Sequence, residues 1–114
     1  MITGMHAIIY SADAEADRAF IRDTFGFAHI DNGGGWLIFQ LPPAEVAVHP
    51  GGSGHELFLM CDDIEATAAD LRGKGVTITE GPVERRYGIE VVLALPGGGT
   101  LRVYEPRHAI AKDL

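Results

Sequence analysis

Two stretches of this chain decide its fold: HAIIYSADAEADRAFIRDTFG at residues 6–26 and HELFLMCDDIEATAADLRGKG at residues 55–75. Three residues recur 49 positions along the chain, as the pairs His6 and His55, Asp13 and Asp62, and Gly26 and Gly75. Self-similarity of this kind is typical of a repeated structural unit. Each stretch begins with a β-rich run, continues into a helix and is followed by further β-rich runs. The sequence therefore predicts a duplicated βαβββ unit.

The first copy contains one predicted helix among four predicted strands. Asp13 can cap the helix by accepting backbone N–H bonds, and Gly26 can end it. Glycine-rich and proline-rich turns at 32–35 and 42–43 separate the β-rich runs that follow. The predicted strands cover residues 5–11, 27–31, 36–41 and 45–49.

The second copy repeats this order with stronger signals. Asp62, followed three residues later by Glu65, resembles a capping box. Ile64, Ala68 and Leu71 fall at i, i+4 and i+7, which gives the helix one apolar stripe to bury. The predicted strands cover residues 56–61, 76–79, 89–95 and 100–105, with a longer loop at 80–88, a turn at 96–99 and a loose polar tail after Pro106.

Two such units predict an α+β fold in which paired βαβββ modules form an open, cup-shaped sheet. The 114 residues fit a single domain, and a hydrophobic content of 46% suffices for one core. We expect module one at about residues 5–50 and module two at about 55–106, joined by a hinge at 50–54. The inward side chains of the two halves are then the expected place for function.

The charge of the chain argues against a nucleic-acid partner, because a net charge of −7 has the wrong sign for a phosphate backbone. No apolar run approaches the roughly 18 residues of a membrane span, and the amino terminus lacks the pattern of a signal peptide. We therefore expect a cytoplasmic protein with no membrane partner. The single cysteine, Cys61, agrees with a reducing compartment and is expected to be a small buried residue.

The two halves also contain a set of short motifs: His6 with Asp13, Phe25-Gly26-Phe27, Cys61-Asp62-Asp63-Ile64, Gly75-Val76, Tyr87-Gly88, Pro96-Gly97-Gly98 and Glu105-Pro106. Together, over about residues 5–106, they resemble the vicinal oxygen chelate superfamily. This superfamily includes glyoxalases, extradiol dioxygenases, fosfomycin resistance enzymes and bleomycin resistance proteins. The resemblance implies the cup of paired modules, usually completed as a homodimer, so we expect a homodimer here.

The resemblance also implies where a divalent metal would be held, because enzymes of this superfamily take one ligand from the first and last strand of each module. His6 lies seven positions before Asp13, as a ligand histidine does in the family. In module two the same count back from Asp63 reaches Glu56, whereas the 49-residue repeat reaches His55. Strand alternation favours Glu56, because the apolar residues that share the face of His55 suit burial under a helix. A one-residue slip would exchange the two faces, so His55 stays the alternative.

The last strands of the two modules lack ligand chemistry. Laying the preceding turn on the family pattern puts Arg102 where a metal-binding glutamate belongs, and a guanidinium has no lone pair to give a metal. In module one the corresponding residue is Val46 or Val48. Only His6 and Glu56 remain as metal ligands, whereas a catalytic zinc usually has three protein ligands. We therefore expect no cofactor, or a weakly bound divalent metal.

With Arg102 in that place, an ion pair with Glu56 could substitute for the metal and lower the pKa of the carboxyl group. His6 adds a group that titrates near neutrality. The predicted ligand-binding set combines these polar groups with aromatic and apolar walls: His6, Tyr10, Glu56, Phe58, Met60, Arg102 and Tyr104. Such a pocket suits a small, partly aromatic or anionic molecule. Arg85 and Arg86, in the predicted long loop, could attract an anion.

Two classes of function follow from these residues. The first is a binding module, similar to the bleomycin resistance proteins, that holds a small molecule without a complete metal site. The second is a metal-dependent lyase, transferase or dioxygenase of the same superfamily, in which a metal polarises the substrate. The missing ligands favour the binding module, and no catalytic residue is assigned.

Overall fold

A computed structural model describes residues 6–45, 47, 50–51 and 55–114 of the chain. Its elements are, in order, α1 (Ala14–Phe25), β1 (His29–Asp31), β2 (Leu37–Phe39), β3 (Phe58–Met60), α2 (Ile64–Gly73), β4 (Ile78–Arg85), β5 (Gly88–Ala94), β6 (Thr100–Pro106) and a short 3₁₀ helix (Ala111–Asp113). In the described ranges, no helix is both long and apolar enough to span a membrane.

The second half of the chain builds a four-stranded sheet in the order β3-β6-β5-β4. β3 runs parallel to β6, and the other neighbours are antiparallel. The strand before α2 therefore pairs with the last of the three strands after it, which is one βαβββ unit closed on itself. In the first half, β1 and β2 form a separate antiparallel hairpin. The α+β class predicted from the sequence is confirmed.

The core lies between one face of the four-stranded sheet and the helices. The apolar stripe of α2 is buried there, as the i, i+4, i+7 spacing predicted. Phe20 and Phe25 bring α1 against the same core. Each fully buried valine, leucine or isoleucine contributes about 1.5–3 kcal/mol. The residues involved are Ile64, Ala68, Leu71, Val76, Val91, Leu93, Leu95, Leu101 and Val103.

The two helices begin at aspartate caps. Asp13 caps α1 as predicted, since its Oδ1 accepts from the Ala16 N–H at 3.1 Å. In α2 the predicted cap, Asp62, is wrong, because Oδ1 of Asp63 accepts from the Ala66 N–H at 3.0 Å. The two caps are therefore 50 residues apart, one more than the repeat of the sequence motifs, and that spacing pairs His6 with Glu56.

The first half differs from the sequence prediction. The strand predicted at 5–11 has no strand pairing over residues 6–11, which are largely exposed. In the second half the equivalent strand pairs with the last strand of its module. In the first half that partner is the strand predicted at 45–49, of which Val46, Val48 and His49 lie outside the described residues. The strands at 27–31 and 36–41 are shorter than predicted, with three residues each in β1 and β2.

The loop predicted at 80–88 is wrong, because β4 continues through this stretch to Arg85. Two register shifts against β5 let the strand accommodate Gly81 and the following proline. Gly81 has φ of +92°, and a Cβ there would collide with the Glu90 carbonyl oxygen, so only glycine fits. Glycine and proline predicted a break in the chain, and the structure uses them as bulges inside a strand.

The tail after Pro106 is held in place, which corrects the prediction of a loose segment. The Arg107 N–H donates to the Tyr87 carbonyl oxygen at 2.9 Å. Oε1 of Glu45 accepts from the N–H groups of Ala111 and Lys112 at 3.0 and 3.1 Å. A carboxylate from the first half of the chain thus caps the final 3₁₀ helix and draws the tail across the molecule.

Candidate functional site

The candidate site is the face of the four-stranded sheet that points away from the helices, here called the cup face. Leu57 and Leu59 pack in the core, so their neighbours on β3 lie on the opposite face. The register places Phe58 beside Arg102, and Met60 and Glu90 beside Tyr104. The cup face thus consists of Phe58, Met60, Glu90, Val92, Arg102 and Tyr104.

Glu90 is the centre of the polar network on this face, and its side chain is fully buried. Its Oε1 accepts from the Tyr87 hydroxyl at 2.6 Å, and its Oε2 accepts from Arg102 Nη1 at 3.1 Å and from Arg85 Nε at 3.2 Å. A buried carboxylate is tolerated only when it is paired and hydrogen-bonded. Burial raises the pKa of Glu90, but the bonds from Tyr87, Arg102 and Arg85 outweigh it and hold that pKa below the ordinary value.

Arg102 therefore has a different partner from the one that the sequence suggested. The expected ion pair was with Glu56, whereas the salt bridge that Arg102 forms is with Glu90. Burial lowers the pKa of Arg102, but the hydrogen bond and charge of Glu90 raise it overall, and Glu56 adds only a weaker attraction. The guanidinium carbon lies 5.7 Å from the centre of the Phe58 ring, and 38% of the side chain is exposed. The group is both fixed and accessible from the cup.

Three aromatic rings pack edge to face beside this ion pair. The ring centres of Phe58, Tyr87 and Tyr104 lie 5.6–5.7 Å from one another. Burial, followed by the hydrogen bond to Glu90, raises the pKa of Tyr87. Burial, followed by the charge of Glu45, raises the pKa of Tyr104. Both hydroxyl groups stay protonated and neutral at physiological pH.

The tail supplies the partner of the Tyr104 hydroxyl. His108 Nε2 lies 2.9 Å from that hydroxyl, and His108 Nδ1 lies 2.8 Å from the Ala109 carbonyl oxygen. A carbonyl oxygen only accepts, so His108 Nδ1 carries a proton and donates to Ala109. The His108 ring also stacks on the Tyr104 ring, with the two ring centres 5.8 Å apart.

A groove of about 310 Å³ opens at the amino-terminal ends of β3 and β6, and Arg102 joins it to the cup face. His55 and Glu56, the two candidates for the first-strand metal position of module two, both line this groove. Its size is at the lower end of the range for small-molecule sites. The groove is lined by Ile8, Ile9, His55, Glu56, Leu57, Thr100, Leu101 and Arg102.

Two residues of the predicted ligand-binding set lie apart from the network. His6 is exposed, and Tyr10 is 90% exposed. The neighbouring Ile8 and Ile9 line the groove instead. The structure thus groups Phe58, Met60, Arg102 and Tyr104 on the cup face, places Glu56 in the adjoining groove, and leaves His6 and Tyr10 at the surface.

The fold matches solved structures over most of its length. TnmS3, an antibiotic binding protein from Streptomyces sp. CB03234, aligns with a TM-score of 0.62 and 26% identity, over 90% of this chain and 99% of that one. Lactoylglutathione lyase from Agrobacterium tumefaciens aligns with a TM-score of 0.67 and 18% identity, over 90% and 92%. This chain has the vicinal oxygen chelate fold. A member of the glyoxalase/bleomycin resistance protein/dioxygenase superfamily from Sphaerobacter thermophilus aligns with a TM-score of 0.60 and 24% identity, over 91% and 98%. No protein-family model matches the chain, and no curated protein matches it significantly.

Two of the metal positions that the superfamily implies can be compared with the described residues. Arg102 stands at the glutamate position, and its guanidinium is bonded to Glu90. Among the described residues, no group of three or more histidine, cysteine, aspartate or glutamate side chains could hold an ion together. Val46 and Val48, the candidates for the remaining position, lie outside the described residues. Among the described residues, the group at the position of Arg102 is an ion pair with Glu90.

Sequence reasoning missed Glu90 and Tyr87, and it placed Arg85 in a loop rather than on a strand. One signal was present, because Glu90 interrupts an otherwise apolar run, IEVVLAL at 89–95. A charge at one position of a buried strand is costly unless partners meet it, so it marks a polar network. Its partners were not readable, because they come from β6, the end of β4 and the β4–β5 turn.

Proposed function

We propose that this protein binds a small, partly aromatic molecule on the cup face, with no metal or only a weakly held divalent ion. The observation that carries the proposal is the Glu90–Arg102 ion pair. By the sequence comparison, Arg102 of this pair stands where the superfamily's enzymes keep a metal ligand, and the pair lies beside three packed aromatic rings. The cup face thus offers aromatic contacts and hydrogen-bond donors, which are the groups of a binding site.

The arrangement of the site supports binding without chemistry. Each ionised group of the network already has an opposite charge within hydrogen-bond distance, and both tyrosine hydroxyls are neutral. None of these groups is poised to take a proton from a substrate near neutral pH. The packed rings are held by their neighbours, so a flat ligand would meet a preformed wall at little cost in side-chain ordering.

One similar structure supports the binding class directly. TnmS3 is described as an antibiotic binding protein, and its structure aligns over 90% of this chain. The lactoylglutathione lyase that also aligns is an enzyme, so the fold permits either class. The charged pair at the metal position favours the binding class for this chain.

We propose further that the protein works as a homodimer. Large apolar side chains are exposed on the first half of the chain, where the hairpin leaves its faces uncovered. A second copy of this chain would cover them, because exposed apolar surface often marks an interaction site. The exposed residues in that half are Ile8, Ile9, Tyr10, Ile30, Trp36 and Leu41.

A titration with 2-naphthamide, a neutral two-ring probe, tests the proposed function. We expect the probe to perturb the nuclear magnetic resonance signals of Phe58, Met60 and Arg102. The variant Phe58→Leu should weaken binding about tenfold, because a stacking ring is lost. Phe39→Leu, which removes a ring from the β1–β2 hairpin, is the matched control. Binding that is insensitive to Phe58→Leu, or one tightly held metal ion per purified chain, would overturn the proposal.

A further inference from the structure

We infer that the cup face selects a neutral aromatic ligand with a hydrogen-bond acceptor and rejects anionic ligands. This inference rests on the proposed function and adds the ligand's charge to it. The sequence alone left an anionic ligand open, because it showed Arg102 and the Arg85-Arg86 pair without their partners. The structure supplies partners for Arg102 and Arg85, and they change the electrostatics of the site.

Both arginines that belong to the network are already neutralised. Arg102 donates to Glu90 at 3.1 Å. Arg85 bridges two carboxylates, those of Glu80 and Glu90. Two positive charges thus meet two negative ones within the network. The formal charge of this group is zero before any ligand enters.

Two further carboxylates act on groups of the site. Glu56 lies in the adjoining groove, and its charge acts on Arg102. Glu45 lies close enough to act on Tyr104. Counting Glu80 and Glu90, four carboxylates thus accompany the two arginines of the network.

An anionic group that docks on Arg102 would also come close to Glu90. The two residues share a hydrogen bond, and a guanidinium is only a few ångströms across, so the anion would face the Glu90 charge at short range. Glu90 does not relieve this repulsion by taking a proton, because its three donors favour the ionised form. Juxtaposed like charges at a desolvated site are strongly unfavourable.

A neutral acceptor avoids this repulsion. Arg102 has five N–H donors and uses one of them on Glu90, while 38% of its side chain is exposed. A carbonyl or ether oxygen can accept from the N–H groups that face the cup. The aromatic part of the same ligand can then lie against Phe58 and Tyr87. A cationic ligand should bind more weakly than a neutral one, because the guanidinium of Arg102 repels it.

Three probes with one ring system test the inference at neutral pH and low salt: 2-naphthamide, 2-naphthoate and 2-naphthylmethylammonium. We expect the amide to bind about tenfold more tightly than the carboxylate, and more tightly than the ammonium. Equal or tighter binding of the carboxylate, or tightest binding of the ammonium, would overturn the charge inference while leaving the proposed function intact. Absence of binding by all three would overturn the proposed function, and the inference with it.

The variant Glu90→Gln identifies the residue responsible. With its partner neutral, Arg102 becomes an uncompensated cation. The affinity for 2-naphthoate should therefore rise about tenfold relative to the affinity for 2-naphthamide. Glu84→Gln removes the same charge from an exposed position of β4 and should leave the ratio unchanged. An unchanged ratio in Glu90→Gln would refute the role of Glu90. The comparison of probes on the unaltered protein decides the inference even if this variant does not fold.

Discussion

Glu90 lies fully buried in the middle of β5, and three donors from two other places in the chain hold it ionised. One carboxylate thus orients both arginines and one tyrosine of the cup face. Removing it would leave two cations without a buried partner, which costs more than the loss of a surface charge. At the scale of single residues, the site depends on this group.

The pH dependence of the free energy of unfolding follows from the direction of the pKa shift of Glu90. Because the folded pKa of Glu90 lies below the ordinary 4.5, its stabilising contribution is fully present above that value and declines as the pH falls through the folded pKa. Tyr87→Phe removes one of the bonds that lower this pKa, so we expect the acid loss of stability to move to higher pH. Unfolding by urea across the acid range measures it.

Tyr10→Phe is the matched control for that experiment. Tyr10 is 90% exposed, so the loss of its hydroxyl should leave the acid profile unchanged. A Tyr87→Phe profile that coincides with the control would contradict the hydrogen bond to Glu90 as a determinant of its ionisation.

At the scale of elements, the start of α2 is fixed by tertiary contact as well as by its own sequence. Asp62 and Asp63 are adjacent, and either could cap the helix by residue type. The Ile64 N–H donates to Glu105 Oε1 of β6 at 3.1 Å, which leaves Asp63 as the residue that accepts from Ala66. The cap therefore depends on how α2 docks against the sheet.

We expect Asp63→Ala to lower the free energy of unfolding by about 1 kcal/mol, because a cap hydrogen bond is lost. Asp62→Ala should change it by less than about 0.5 kcal/mol, since this exposed residue is not the cap of α2. Chemical denaturation of the two single variants measures both. Equal losses, or a larger loss for Asp62→Ala, would place the cap one residue earlier.

Gly81 shows the same dependence on a neighbouring strand. Its φ of +92° and the close approach of the Glu90 carbonyl oxygen both disfavour a side chain. Gly34 has φ of +63°, and among the described residues nothing lies within 4 Å of where its Cβ would be, so Gly34→Ala isolates the backbone penalty. We expect Gly81→Ala to destabilise the protein by about 2 kcal/mol more than Gly34→Ala, because the backbone clash is added. Equal thermal or urea stability of the two variants would refute the close approach.

At the scale of the whole molecule, the two halves of the repeat differ. The second half forms a closed βαβββ sheet, whereas the described part of the first half forms a helix and a short hairpin. Helix α1 is joined to the second half through Phe20 and Phe25 and through Asp17, whose Oδ1 accepts from the Gly97 N–H at 2.7 Å. The exposed apolar residues of the first half are the surface that a second copy would cover.

Light scattering should therefore give twice the chain mass of 12.2 kDa. Ile30→Asp places a charge in the exposed apolar surface of the first half, and we expect it to shift the protein toward the monomer. Ile110→Asp, at an exposed position in the tail, is the control and should leave the mass unchanged. A monomeric mass for the unaltered protein would contradict the homodimer.

The sequence by itself determined what depends on local pattern. Repeated motifs predicted the βαβββ unit, the helical stripe of Ile64, Ala68 and Leu71 predicted the buried face of α2, and alternation along β3 separated Leu57 and Leu59 from Phe58. These features follow from the periods of helices and strands, which the order of residues contains. The position of Arg102 was equally readable, because it follows from counting along one turn and one strand.

Only the tertiary structure decided which side chains meet. Glu90 rather than Glu56 pairs with Arg102, because the antiparallel register of β5 and β6 brings them together across strands. The bulges at Gly81 extend β4 as far as Arg85, so that its guanidinium reaches the same carboxylate. Such partners are separated along the chain and are chosen by strand register, which residue order does not specify. Part of the cup, namely Phe58, Met60, Arg102 and Tyr104, could thus be read from the sequence, whereas its charge balance arose from the packing of strands against one another.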